Sequence, residues 1–107
     1  MSKEYLVFYS PEAKNDLKEI YAYIAFELKA FVTAANQVQR IRESIRDLSK
    51  FPLRYQTVEW GTWASMGMHR LLVNNYSVFY LVDEEEATVK IVRIFYSGRD
   101  IENTIKS

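Results

Sequence analysis

At 107 residues the chain has room for one folded domain, and 49% apolar with 15% aromatic residues supply enough material for a core, which excludes a disordered polypeptide. The absence of cysteine excludes disulfides, thiolate metal sites and a cysteine nucleophile. Fourteen basic residues balance fourteen acidic ones, which argues against a protein that holds nucleic acid mainly by bulk charge. Residues 1–54 hold nine Lys or Arg against seven Asp or Glu, and the remainder five against seven, an asymmetry too small to name a partner. No long apolar run or signal-peptide pattern is present, so the expectation is a soluble, cytoplasmic protein with no membrane partner, folded as a single domain over 1–107.

In chain order, Glu4–Tyr9 is rich in β-branched and aromatic residues and reads as a first strand. Ser10, Pro11 and Glu12 then supply an N-cap, a proline at the first helical position and an early acidic residue. Leu17, Ile20, Ile24 and Leu28 recur at helical spacing and form one buried face. A second helix is expected to begin near Thr33, whose hydroxyl caps Ala34 and Ala35, and to bury Val38, Ile41, Ile45 and Leu48. Phe51-Pro52 ends it. The short connection makes the two helices a hairpin laid on a sheet.

A loop from Leu53 to Met66 follows, with Trp60 and Trp63 in it and Gly67 just beyond; its tryptophans suit either base stacking or core plugging. Three apolar runs come next: Met68–Val73, Tyr76–Val82 and Ala87–Tyr96. Asn74-Asn75 fits a two-residue hairpin turn, and Asp83–Glu86 a solvated one. The order predicts an α+β fold: an N-terminal strand and a helical hairpin packed on an antiparallel sheet of three to four strands, with a short C-terminal helix over 101–106. Strands so apolar on both faces imply a sheet covered on both sides, or one face kept for a partner.

Basic residues stand out against this apolar background: His69, Arg70, Arg93 and Arg99 lie on or beside the last strands. Three of them have a plain structural alternative. A lone histidine is often packed or surface-exposed, Arg93 can pair with Asp16 or Glu19, and Arg99 with Asp100 or Glu102. By strict alternation Arg93 shares a face with Val89, Ile91 and Phe95. Tyr76 and Tyr80 fall on one face and read as core or groove packing, and Arg40, Arg42 and Arg46 as the solvated side of the second helix. No Gly-x-Ser-x-Gly elbow, Gly-rich nucleotide loop or clustered metal ligands occur, so no cofactor or metal is expected.

Taken in order, Ser10-Pro-Glu-Ala13, Asp16-Leu-Lys-Glu-Ile20, Ala34-Ala35, Leu48, Phe51-Pro52, Tyr76–Tyr80 and Arg93-Ile-Phe-Tyr-Ser-Gly-Arg-Asp100 resemble the RelE/ParE superfamily over nearly the whole chain. That superfamily supplies the toxic half of bacterial type II toxin-antitoxin modules. The resemblance implies a compact sheet with two helices on one side, a concave opposite face, and a cognate antitoxin that wraps the toxin in a heteromeric complex.

One branch enters the ribosome and cuts mRNA, and the other poisons DNA gyrase. Metal-independent cleavage needs a base for the 2′-hydroxyl, cations for the phosphorane and an acid for the leaving oxygen. His69, Arg70, Arg93, Tyr96 and Arg99 are the residues this chain offers for those roles. Arg70 falls where the RNA-cutting branch places a basic residue. Ser77 stands where that branch typically has an arginine, and no tyrosine follows Asp100. The continuous hairpin, the Arg-Asp ending and the neutral charge resemble the gyrase-poisoning branch. The expectation leans to mRNA cleavage, with gyrase poisoning or an inactive antitoxin-binding module as alternatives.

Overall fold

The computed structural model describes residues 3–98. Arg99 and the helix expected over 101–106 lie outside the described residues. The elements are β1 (Leu6–Tyr9), α1 (Pro11–Ala22), α2 (Phe31–Arg46), α3 (Gly61–Met66), β2 (His69–Val73), β3 (Tyr76–Asp83) and β4 (Thr88–Tyr96). The fold is α+β, with the α1–α2 hairpin on one face of a four-stranded sheet ordered β1-β4-β3-β2. Strands β2, β3 and β4 form an antiparallel meander, while β1 joins β4 in parallel, so the sheet is mixed rather than wholly antiparallel.

Helix α1 starts as its sequence dictates. Ser10 Oγ accepts from the Ala13 N–H at 3.0 Å, and Pro11 occupies the first turn, where a missing N–H costs nothing. The helix then widens into a π turn over Tyr23–Glu27, with Leu28 N–H donating to Tyr23 C=O. That turn rotates Leu28 off the face defined by Leu17, Ile20 and Ile24, leaving it 57% exposed. Helix α2 begins at Phe31, two residues before the expected start, and Ala30 caps it without a side-chain bond. The helix start is set by hairpin closure instead of by Thr33: Lys29 takes φ 54°, Ala30 N–H donates to Ile24 C=O, and Ala25 and Ala34 are fully buried between the helices. Downstream, Ile41, Ile45 and Leu48 are buried, with Val38 half-buried beside them, as their spacing requires.

The meander register is pinned by Asn74, whose φ of 53° closes the β2–β3 turn. Strand β4 carries a bulge: Phe79 faces Arg93 and Tyr80 faces Ile91, so Val92 is an extra residue. Val89 and Ile91 point to the hairpin before the bulge, and Ile94 does so after it. Phe95 is thereby moved to the opposite face, where it joins Val58, Trp63, Met68 and Phe79. The expected loop after α2 contains α3, and Trp63 on it plugs this second cluster. Beyond β2, Gln56–Val58 runs alongside its outer edge, through Val58 N–H to Met68 C=O and Arg70 N–H to Gln56 C=O.

At β4 the first strand runs out at Tyr9, opposite Ile91, leaving the backbone of Val92–Tyr96 without a strand on the β1 side, while β3 still pairs its other edge. α1 takes its place. Ser10 Oγ donates to Val92 C=O at 2.8 Å, and the Asp16 carboxylate accepts from Ile94 N–H at 2.9 Å. The same carboxylate receives Arg93 Nε at 2.8 Å and Nη2 at 3.0 Å, a two-pronged pair. Asp16→Ala leaves a buried N–H and a guanidinium without their acceptor. It is expected to lower unfolding free energy by about 3 kcal/mol, read as a lower urea midpoint with an unchanged slope.

Candidate functional site

The second sheet face presents a row set by register, Arg70 opposite Phe79 opposite Arg93. The Arg70 guanidinium donates through Nε and Nη2 to Ser77 Oγ at 3.0 and 2.8 Å, and Ser77 Oγ meets Ser97 Oγ at 2.9 Å. Among the described residues no carboxylate pairs with Arg70. Arg93 differs. The Asp16 bond, working against burial, holds its guanidinium above the usual range, and its Cζ lies 4.4 Å from the Phe95 ring centroid. Trp63 packs at 4.7 Å on Phe79 and Trp60 stacks on Trp63 at 5.6 Å, so the tryptophans fill this face.

His69 is on the other face. Its ring stacks on Tyr80 at 5.1 Å, and Nδ1 lies 2.7 Å from the Tyr55 carbonyl, which fixes that nitrogen as the donor. Only 9% of the residue is exposed. Tyr96 lines a groove against α1 and the π turn, edge to face with Tyr76 at 5.9 Å. Burial raises the Tyr76 phenol, with Tyr96 and Tyr23 adding to the effect. Of the five residues singled out in the sequence, Arg70 and Arg93 therefore share a row, His69 and Tyr96 sit apart from them, and Arg99 lies outside the described residues. Among the described residues no three His, Asp or Glu side chains converge as a metal site, and no helix is long and apolar enough to cross a membrane.

A feature the sequence did not single out lies between the two helices. Tyr9, Leu17, Tyr21, Phe26 and Val38 form an apolar floor, rimmed by Lys14, Lys18 and Arg42. It continues past Arg42 to Arg46 beside β1, and among the described residues no carboxylate lines it. Burial raises the Tyr9 phenol, opposed by the charge and hydrogen bond of Arg42 and the charge of Arg46. The signal was available as Lys14 and Lys18 on α1 facing Arg42 and Arg46 on α2, but only the helix pairing brings the four together.

The family model described as ParE toxin of type II toxin-antitoxin system, parDE, matches residues 7–101. The chain belongs to the ParE toxin family. Among solved structures, this ParE-family chain is similar to one from the chromosomal ParDE toxin-antitoxin system of P. aeruginosa. The TM-score is 0.73 with 20% identity, covering 89% of this chain and 98% of that one. It is also similar to a chain of the RelBE2 toxin-antitoxin complex of Mycobacterium tuberculosis, with a TM-score of 0.64 and 24% identity over 87% of this chain and 98% of that one. At such identities the likeness is one of fold. A comparison with curated proteins gave no match.

Beneath His69, burial pushes the Tyr80 phenol above its ordinary 10.0, and its hydroxyl donates to Pro52 C=O at 2.6 Å. The unfolded chain therefore ionises first. Stability is full below about pH 10 and falls as pH rises toward the folded value. The urea midpoint is expected to drop in strong alkali, and Tyr80→Phe to flatten that drop while costing about 1 kcal/mol at neutral pH through the lost bond.

Proposed function

We propose that this ParE-family toxin acts by poisoning DNA gyrase and is neutralised by a cognate antitoxin. The observation that carries the reading is the state of the second sheet face. Trp63 covers Phe79, Arg93 is engaged by Asp16, and His69 is turned to the opposite face with Nδ1 committed to Tyr55 C=O. RNA cleavage without a metal needs an acid and a base beside the cations that hold the phosphate. Among the described residues, Arg70 and Arg93 have no such partners on their face. The match to the ParE toxin family supports the same reading.

The groove between α1 and α2 suits the antitoxin. An apolar floor with a rim of Lys14, Lys18, Arg42 and Arg46 fits an acidic amphipathic segment, whose apolar residues seat between the helices while its carboxylates meet the rim. The double variant Arg42→Glu/Arg46→Glu is expected to weaken antitoxin binding by more than about tenfold and to reduce its salt dependence, measured by calorimetry at two ionic strengths.

The mRNA-cleaving alternative keeps one supporting observation, the Arg70 guanidinium free of a carboxylate among the described residues. A single preparation of free toxin separates the two. Supercoiling by gyrase is expected to be inhibited while mRNA on translating ribosomes stays intact, and Arg70→Ala is expected to leave the inhibition unchanged. Intact supercoiling with mRNA cut at A-site codons, and cutting lowered more than about tenfold by Arg70→Ala, would replace this reading with the nuclease one.

A further inference from the structure

A groove of about 690 Å³ runs between α1, the π turn and the last residues of β4. Three tyrosines wall it. Tyr76 and Tyr96 stand edge to face at 5.9 Å, Tyr23 joins them from the π turn, and the buried Ile24 and Ile94 close the base. Gly98 makes room for the Tyr96 ring: a Cβ there would collide with Tyr96 Cε2, so the ring rests against bare backbone. Among the described residues that line the groove, the only charges are the carboxylates of Asp16 and Glu19. Asp16 is committed to Arg93, whereas Glu19 accepts from Asn15 Nδ2 at 3.1 Å and forms no ion pair among the described residues.

The groove also contains a strand edge. Ser97 N–H donates to Asn75 C=O at 2.6 Å, and Tyr96 and Ile94 lie opposite Tyr76 and Val78. Hydrogen-bonded and non-bonded pairs alternate in an antiparallel ladder, so the N–H and C=O groups of Ile94 and Tyr96 turn away from β3, toward α1. Asp16 takes the Ile94 N–H, and no strand of the described residues meets the Ile94 C=O, the Tyr96 N–H or the Tyr96 C=O.

We propose that this groove receives an extended segment of a partner protein, added as a strand to the end of β4, with an arginine side chain seated among the three tyrosines against Glu19. An added strand sends every second side chain to the helix side of the sheet, where the tyrosines stand. A flat guanidinium stacks on ring faces while it donates to a carboxylate, which suits arginine better than lysine. The chain uses the same combination once already. Arg93 bonds Asp16 while its Cζ lies 4.4 Å from the Phe95 centroid. The two carboxylates repel phosphate, so the occupant is protein and not nucleic acid. The proposal is independent of the gyrase reading, and the basic groove assigned to the antitoxin lies on the other flank of α1, beside Lys14 and Lys18.

The test is a titration of the full-length chain with the peptide acetyl-Thr-Val-Arg-Val-Thr-amide, followed by amide and ring NMR shifts. Saturable binding is expected, with shifts at Tyr23, Tyr76 and Tyr96 and slower exchange of the Tyr96 amide. Replacing the arginine by citrulline, its uncharged isostere, is expected to weaken binding by about fivefold or more, and Glu19→Gln to remove most of that preference. Tyr23→Ala and Tyr96→Ala should each weaken binding by about threefold or more, and Gly98→Ala, which displaces the Tyr96 ring without removing it, by a similar factor; Tyr96→Phe should stay within about twofold of the parent. These four positions are exposed, so circular dichroism of the variants should match the parent. Absence of saturable binding overturns the proposal, as does a citrulline peptide that binds equally well or binding that survives the groove variants. Contacts of the three rings in the free chain with its own residues 99–107, or with a second copy, that the peptide does not displace also overturn it.

Discussion

The carboxylate of Asp16 does for β4 what a further strand would otherwise do. The sheet needs it because β1 is only four residues long and stops opposite Ile91, just before the bulge. An unpaired N–H at Ile94 would face α1 in a dry setting, and Asp16, with 6% of its side chain exposed, answers both that donor and the Arg93 fork. The docking of α1 on the sheet, the end of the strand ladder and the neutralisation of Arg93 are thus tied to one side chain. Ser10 reinforces it from the preceding turn, capping the helix with the oxygen that also donates to Val92 C=O.

Much of this architecture is legible in residue order. Ser10-Pro11 begins a helix, Ile41, Ile45 and Leu48 bury one, and Asn74-Asn75 turns a hairpin, because each depends on local chemistry that a short window contains. What escapes the sequence depends on partners far along the chain. The bulge at Val92 breaks the alternation that would have placed Phe95 with Ile91, and no residue in the run announces it. The π turn undoes the spacing argument for Leu28, and the alanine contact between helices overrides the capping preference of Thr33. β1 lies parallel to β4 because the chain reaches β4 only after the whole hairpin and the meander, a topological fact that strand propensity does not encode.

The candidate site divides along the same line. The pairing of Arg93 with a carboxylate of the first helix was one of two readings its sequence position allowed, and the geometry selects Asp16 over Glu19. Grouping His69 with Arg70 by adjacency overlooks the alternation of a strand, which sends neighbours to opposite faces. The tryptophans show the converse: in the sequence they sit in an irregular stretch open to either role, and packing against Phe79 turns them into core. The basic groove emerges only when α1 and α2 are placed side by side, since neither helix alone carries more than part of the rim.

Both tryptophans of the chain stand in the small cluster on the second face, stacked on each other and against Phe79. Their ultraviolet emission is therefore a reporter for one corner of the molecule. The hairpin, its alanine seam and the larger core contain none of that fluorophore, and their tyrosines are spread from Tyr5 to Tyr96. An optical melt followed at tryptophan wavelengths sees α3 leave the sheet, whereas far-ultraviolet dichroism sees mainly α1 and α2. Coincidence of the two traces thus measures how tightly the two faces of this thin sheet are coupled.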